Sequence, residues 1–264
     1  MQAAVEHAVS SMRSRYDEPI TTHDLAAEVF VSPFHFSRVF SSTIGVTPGR
    51  FLTAVRLFEA KRRLLTTDET VADIVCSVGY SSVGTFTSRF TRAVGLTPGQ
   101  YRDPAVEAGL LAVSTDYSRV PSAEVLEHAA GEGPGAASVS VGVEGAEDAD
   151  RVAVGVFDGS VPQAAPVALA TVTPGEQGAV LEGLPAGEWT VLAVAAAPDA
   201  SVAGVATAAL EVRPHEDVVP PVDMTLAEPA PTDAPIAVSL LDPAEGLPGP
   251  SPAAGAVRHL RAVA

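Results

Sequence analysis

Cysteine, lysine and tryptophan each occur once in this chain of 264 residues, as Cys76, Lys61 and Trp189. A single cysteine excludes a disulfide within the chain and fits a reducing compartment. No run approaches the roughly 18 consecutive apolar residues of a membrane span. The opening stretch, MQAAVEHAVSSMRSRY, lacks a basic segment followed by an apolar block, so no signal peptide is expected and a cytoplasmic location is. The six histidines are scattered and never fall with cysteine or carboxylates at metal-ligand spacing, so neither a metal nor a cofactor is expected. No Ser/His/Asp set, paired carboxylates or phosphate loop can be assembled. The expectation is therefore no catalytic residues and no enzyme.

Basic charge is scarce as well, with 16 Lys+Arg against 32 Asp+Glu. The resulting net charge of −16 argues against nucleic acid until its distribution is read. Residues 1–103 hold 11 Lys+Arg and 10 Asp+Glu; residues 104–264 hold 5 and 22. The first part is near neutral with local arginine clusters, and the second is acidic throughout. Such asymmetry indicates two domains with different partners.

Against these absences stands one well-formed stretch, SPFHFSRVFSSTIG, from Ser32 to Gly45. Ser32 suits an N-cap, Pro33 the first helical position and Gly45 the position just past the end. Phe36, Val39, Phe40 and Ile44 form one apolar stripe at helical spacing. Phe34, Ser37, Arg38 and Ser41 share another face: one arginine, two hydroxyls and a surface aromatic, the set that suits a helix lying in a DNA major groove. Alone, this reads more readily as an ordinary amphipathic surface helix.

The stretch occurs twice. Upstream, a helix over about Ala3–Tyr16 is expected, then a short one over His23–Phe30 capped by Thr22. Downstream, Thr47-Pro48 opens a longer helix to about Leu65. Asp24-Leu25 and Val29 are echoed by Asp73-Ile74 and Val78, at an offset of about 49. Phe36, Phe40, Gly45 and Thr47-Pro48-Gly49 are echoed by Phe86, Phe90, Gly95 and Thr97-Pro98-Gly99, at about 50. The extra residue falls in the second turn. A duplication this regular predicts two helix-turn-helix units joined by a rigid connector. Two recognition helices on one chain would enter successive major-groove segments.

In DLAAEVFVSPFHFSRVF, IGVTPGRFL, AKRRLL and VADIVCSVGYSSVGTFTSRFTRAVGLTPGQYR, residues 1–103 resemble the DNA-binding domain of the AraC/XylS family of bacterial transcription regulators. The resemblance implies about seven helices carrying two helix-turn-helix motifs, and binding to asymmetric promoter sites. It places base reading on Phe34, Ser37 and Arg38 in the first motif, and on Gly84, Thr85 and Ser88 in the second. Adding 50 to the first face selects Thr87 as well, and Thr91. Where the family usually has arginine, the second motif has Ser88. Arg38 is therefore expected to supply most discrimination, because bidentate arginine–guanine contacts discriminate better than hydroxyls. Arg89, Arg92, Ser41 and Thr91 are candidates for phosphate contact, which positions without specifying. Arg56 and Arg63, seven apart on the long helix beside Lys61 and Arg62, are either phosphate contacts or a solvated basic face. His35 is expected to be packed or capped, and Cys76 to lie in the core.

Residues 104–136 read as a linker. Over residues 137–228 the period changes to short β-branched runs separated by Gly, Pro and Asp, which predicts a small antiparallel β-sandwich of about seven strands. The stretch VTPGEQGAVLEGLPAGEWTVLAVAAAP resembles the prealbumin-like, carboxypeptidase-regulatory type of sandwich. Trp189 within it is either core or a ligand platform. Residues 229–264 are Pro/Ala/Gly-rich and expected to be disordered, with Ile236–Leu241 as a candidate edge strand.

The chain thus reads as multidomain, α then β: an all-α double helix-turn-helix domain followed by a β-sandwich. The expected function is a sequence-specific, DNA-binding transcription regulator with double-stranded promoter DNA as partner. RNA polymerase is a further candidate partner, and the sandwich is the candidate site for a small-molecule effector. In the family a sensor domain usually comes first; here none is expected before residue 1, and no membrane partner is expected. Two other readings stand beside this one. A non-specific architectural DNA-binding protein would need a broad basic surface. A small-molecule- or carbohydrate-binding module coupled to DNA binding would show a tight ligand.

Overall fold

A computed structural model describes residues 1–147 and 149–241. The helices are α1 (Gln2–Ser14), α2 (Thr22–Glu28), α3 (Pro33–Ile44), α4 (Pro48–Thr66), α5 (Val71–Ser77) and α6 (Val83–Val94). A 3-10 turn (Gln100–Arg102) and the short α7 (Pro104–Ala108) follow. Helices α2 to α6 each begin where a hydroxyl side chain takes a free backbone N–H. Ser32, Thr47, Thr70 and Ser82 each accept the backbone N–H three residues on. The cap of α2 is Thr21, which forms a reciprocal capping box with Asp24; Thr22, expected as the cap, is already helical. Gly45 and Gly95 end α3 and α6 in the left-handed region, at φ 83° and 85°.

The repeat is visible in the structure. α5 follows α2 by 49 residues, and α6 follows α3 by 50. Each unit has its own aromatic centre. Phe36, Phe40 and Phe51 pack in one, with ring centroids 5.6 and 5.8 Å apart. Phe86, Phe90 and Tyr101 pack in the other, at 5.4 and 5.6 Å. The copies diverge after the second motif: where the first continues into the 19-residue α4, the second is cut short by Pro104.

Cys76 is exposed, against expectation. The short α5 buries Ile74 and Val75, its C-cap Val78 is buried beside them, and the position between Val75 and Ser77 points away from that stripe.

The segment expected as a linker is ordered. It holds α7, β1 (Leu110–Val113) and α8 (Ala123–Ala129). The seven expected strands all form: β2 (Ala137–Glu144), β3 (Arg151–Asp158), β4 (Ala168–Val172), β5 (Gly178–Leu184), β6 (Gly187–Ala196), β7 (Val202–Val212) and β8 (Val218–Thr225). β9 (Ile236–Ser239) lies in the segment expected to be a tail. It pairs antiparallel with β1, not with an edge of the larger sheets. The remainder of that tail, from residue 242, lies outside the described residues.

The strands make a four-stranded antiparallel sheet, β4-β3-β6-β7, and a three-stranded sheet, β5-β2-β8. One expectation is corrected here: β2 and β8 run parallel. Between β7 and β8 the chain crosses from one sheet to the other, so no hairpin forces the antiparallel direction. β8 carries Pro220 and Pro221, which an edge strand tolerates.

Alternation assigns the faces. Val152, Val154 and Val156 of β3 and Val191 and Ala193 of β6 meet Val139, Val141, Leu181 and Met224 of the three-stranded sheet in one core. Ala153, Phe157, Leu192 and Val194 face the other way, against Leu111 and Val113 of β1, Val238 of β9 and Leu126 of α8. Leu110, Ala112 and Ala237 of the β1–β9 pair then pack on Phe58 of α4. The β-region is thereby joined to the helical region through a two-stranded layer whose two faces serve two cores.

Polar ties cross the same junction. Arg13 of α1 donates from Nε to the Pro231 carbonyl at 2.9 Å and from Nη2 to the Asp233 carbonyl at 2.8 Å. Arg50 of α4 reaches Ser160 Oγ at 3.2 Å. Lys61, expected on a basic surface, is fully buried. Its Nζ donates to the Gln163 carbonyl (2.8 Å), Gln163 Oε1 (3.0 Å) and the Ala237 carbonyl (2.6 Å). Burial favours the neutral amine and pulls the Lys61 pKa down to about 7, even with three acceptors in reach.

Candidate nucleic-acid interface

The face expected to read bases on α3 is open to solvent. Phe34 is 80% exposed. Arg38 is exposed, and Ser37 and Ser41 are half-buried at the flanks. Phe36 and Phe40 hold the opposite side in the core, so the rotation of the helix is fixed by burial. His35, expected to be packed or capped, is exposed; the Ser32 cap bond is made to its backbone N–H. On α6, Gly84, Thr85 and Ser88 are exposed and Thr87 half-buried, while Phe86, Phe90 and Val94 are buried.

The two faces differ chemically. Where α3 presents the Phe34 ring, α6 presents Gly84, and a Cβ there would meet nothing within 4 Å. Where α3 presents Arg38, α6 presents Ser88. Thr91 is a poor phosphate ligand, contrary to expectation. Its hydroxyl is enclosed without a partner, because the residue sits next to Phe90 at the edge of the buried stripe.

The arginines sort sharply. Arg56, expected to face phosphate, donates from Nε to the Tyr16 carbonyl and from Nη2 to the Glu18 carbonyl, both at 2.7 Å, and stands over the Tyr80 ring. It staples the loop after α1 to α4. Arg63, the other such candidate on α4, pairs with both carboxylate oxygens of Glu69 at 3.1 Å. Arg15 and Arg62 pair with Glu28 and Glu59, and Arg102 donates to the carbonyls of Thr67 and Glu69. Among the described residues, the arginines with no hydrogen-bond or ion-pair partner are Arg38, Arg89 and Arg92. All three are exposed, and all three stand on α3 or α6.

Two apolar positions beside these faces were missed by reading the sequence alone. Phe30, in the turn before α3, is 95% exposed and has φ 58°. Val83, at the start of α6, is 43% exposed. The repeat offset of 49 sets Phe30 opposite Gly79, whose φ is 78°. That alignment was the available signal that Phe30 occupies a left-handed turn position.

Among the described residues no helix is long and apolar enough to cross a membrane. Trp189 is half-buried, packs against the core between the two larger sheets, and donates from Nε1 to the Pro185 carbonyl at 2.9 Å. That agrees with the core alternative.

Residues 25–104 match the helix-turn-helix domain family. The chain is 40% identical over 79 residues to an HTH-type transcriptional regulator of Mycobacterium tuberculosis, covering 30% of this chain and 30% of that protein. It is 30% identical over 98 residues to the lactose operon transcription activator of Staphylococcus xylosus, covering 37% and 35%. A solved transcriptional regulator of Chromobacterium violaceum, of the AraC-type DNA-binding domain-containing proteins, is 31% identical, with 38% and 90% covered and a TM-score of 0.36. The chain thus spans about a third of the length of these curated relatives. Within the helical part, residues 25–104 are therefore similar to known helix-turn-helix domains.

Proposed function

We propose that this protein is a sequence-specific DNA-binding transcription regulator in which α3 and α6 enter successive major-groove segments of one site. The observation that carries it is the sorting of the arginines. Seven of the ten in residues 1–103 are tied to acceptors within the protein, and those left free, Arg38, Arg89 and Arg92, stand on the two helices that the repeat singles out. An arginine held at a surface without a carboxylate keeps its donors available for phosphate or guanine.

The architecture supporting this reading is a double helix-turn-helix domain over residues 1–103, a junction segment over 104–136 and a β-sandwich over 137–228. The two larger sheets sharing one core support the sandwich. Arg38 with Phe34 and Ser37 supplies most base discrimination. Gly84, Thr85, Thr87 and Ser88 let the second helix approach closely, with Arg89 and Arg92 on phosphates. RNA polymerase would be engaged from the same promoter position.

Selection of sites from a random duplex library with the full-length protein tests this. The expected result is an asymmetric site with two enriched blocks about one helical turn apart. Binding with no enriched sequence would move the assignment to an architectural protein.

A further inference from the structure

The junction between the helical and β-regions leaves a cavity of about 280 Å³. Its helical side is formed by Ile44, in the last turn of α3, and Val46, in the link to α4. Its β side is formed by Val161, Val205 and Ile236, so the walls are mainly aliphatic. Two polar ties brace its rim: Arg13 to the carbonyls of Pro231 and Asp233, and Arg50 to Ser160. The charged lining residues, among those described, are Glu228 and Asp233, both acidic. Asp233 accepts the Ala230 N–H at 2.8 Å and faces the Arg13 guanidinium, whereas Glu228 has no ion-pair partner among the described residues.

We infer that this cavity is an effector site for a small apolar amine, and that its occupant bears directly on the end of the first recognition helix. Size limits the ligand to about one ring with a short side chain, the lower end of small-molecule sites. Aliphatic walls take the ring. Glu228, whose charge no described cation offsets, favours an ammonium and disfavours a carboxylate, while the Asp233 charge is met by Arg13. Thr43 and Ile44 belong to the same rigid helix as Phe34, Ser37 and Arg38. A ligand that shifts or stiffens that end therefore changes the presentation of the reading face. The effect must be reciprocal: DNA changes ligand affinity by the factor by which ligand changes DNA affinity. This coupling rests on the regulator reading; the cavity assignment does not.

The probes are phenethylamine, its neutral analogue phenethyl alcohol and its anionic analogue phenylacetate, titrated into the full-length protein by calorimetry and ligand-observed NMR. Phenethylamine should bind with a Kd on the order of 1 mM or tighter, and phenylacetate at least about tenfold more weakly. Thr207→Trp, which places a ring in the cavity from β7, should weaken the amine at least about tenfold. Thr232→Trp, in the loop before β9, does the same if the first variant fails to fold. Glu228→Gln should narrow the gap between amine and acid. Failure of both the amine and the alcohol to bind, or binding that ignores both tryptophan variants, overturns the site. Equal binding of all three probes overturns the ligand class. Saturating amine should shift affinity for the selected DNA site at least about threefold; ligand binding without that shift overturns the coupling. Absence of any DNA binding overturns the regulator reading and the coupling together, and the ligand titrations then judge the cavity alone.

Discussion

Arg38, Arg89 and Arg92 are free of internal partners, but they stand in different surroundings, and that separates their expected effects. Arg38 follows Phe34 by four residues, so both lie on one exposed strip of α3. Arg38→Ala should cost about 1–3 kcal/mol on the preferred site and relax preference at one position, read from affinities across a series of single-base variants. Arg89→Ala and Arg92→Ala should weaken binding to all sites alike, each lowering the slope of log affinity against log salt by about one. If Ser88→Ala relaxes specificity more than Arg38→Ala, the inequality of the two motifs is wrong. The strip on α3 was legible because its determinants are local: a cap, a proline, a glycine and the spacing of Phe36 and Phe40. Arg56, Arg63 and Lys61 were not. Helical spacing says which residues share a face, but not what comes to meet it, and the Arg56 and Lys61 partners lie 38 to 176 residues away.

At the level of elements, the two helix-turn-helix turns carry the same backbone conformation with opposite side-chain solutions. Phe30 and Gly79 both adopt positive φ, at 58° and 78°. Left-handed backbone costs an ordinary residue about 1–2 kcal/mol, and glycine almost nothing. Phe30 is nearly fully exposed, so Phe30→Gly removes that cost with little packing lost. It should stabilise the protein by about 1 kcal/mol in urea unfolding. Gly79→Ala is the reverse case. A Cβ there would meet the carbonyl oxygens of Tyr16 and Asp17 at 2.8 Å, and the same measurement should show a loss of at least about 2 kcal/mol. The β1–β9 pair shows where reading elements from sequence stops. Leu110–Val113 and Ile236–Ser239 are buried at every position, so neither shows the alternation that marks a half-buried strand. Each segment serves two cores, and its partner lies more than a hundred residues away.

Over the whole molecule, the junction is a packed interface with a buried ammonium in it, and this gives stability a defined pH dependence. The Lys61 pKa falls to about 7 in the folded protein and returns to its ordinary value near 10.5 on unfolding. Below about 7 both states hold the proton, and Lys61 contributes no pH dependence. Between about 7 and 10 the unfolded chain holds a proton that the folded chain lacks, so stability rises with pH across that window. Burial also raises the Tyr101 pKa, which opposes the trend only once unfolded tyrosine begins to ionise, near pH 10. The urea midpoint should therefore climb from pH 7 to pH 9.5 in the wild-type protein and stay flat in Lys61→Met. A wild-type midpoint as flat as that of Lys61→Met over that range would mean the ammonium stays charged when folded. The same junction corrects the picture of two separable halves that composition suggested. Charge marks the boundary near residue 103, but Phe58 and Lys61 of α4 are covered by β1 and β9.

Because Lys61 is the chain's only lysine, the buried tie is also a reporter. An acylating reagent finds two amines, the α-amino group and the Lys61 ε-amine, and peptide mass distinguishes them. Modification of the second can proceed only when the β-region lifts from α4. Its rate, relative to a free lysine, measures how often the two halves part, in a wild-type chain with no label installed. Cys76, exposed on α5, offers a thiol handle beside the second motif. Native chemistry thus supplies two orthogonal probes, one that reads the closure of the junction and one that reports from the helix preceding α6.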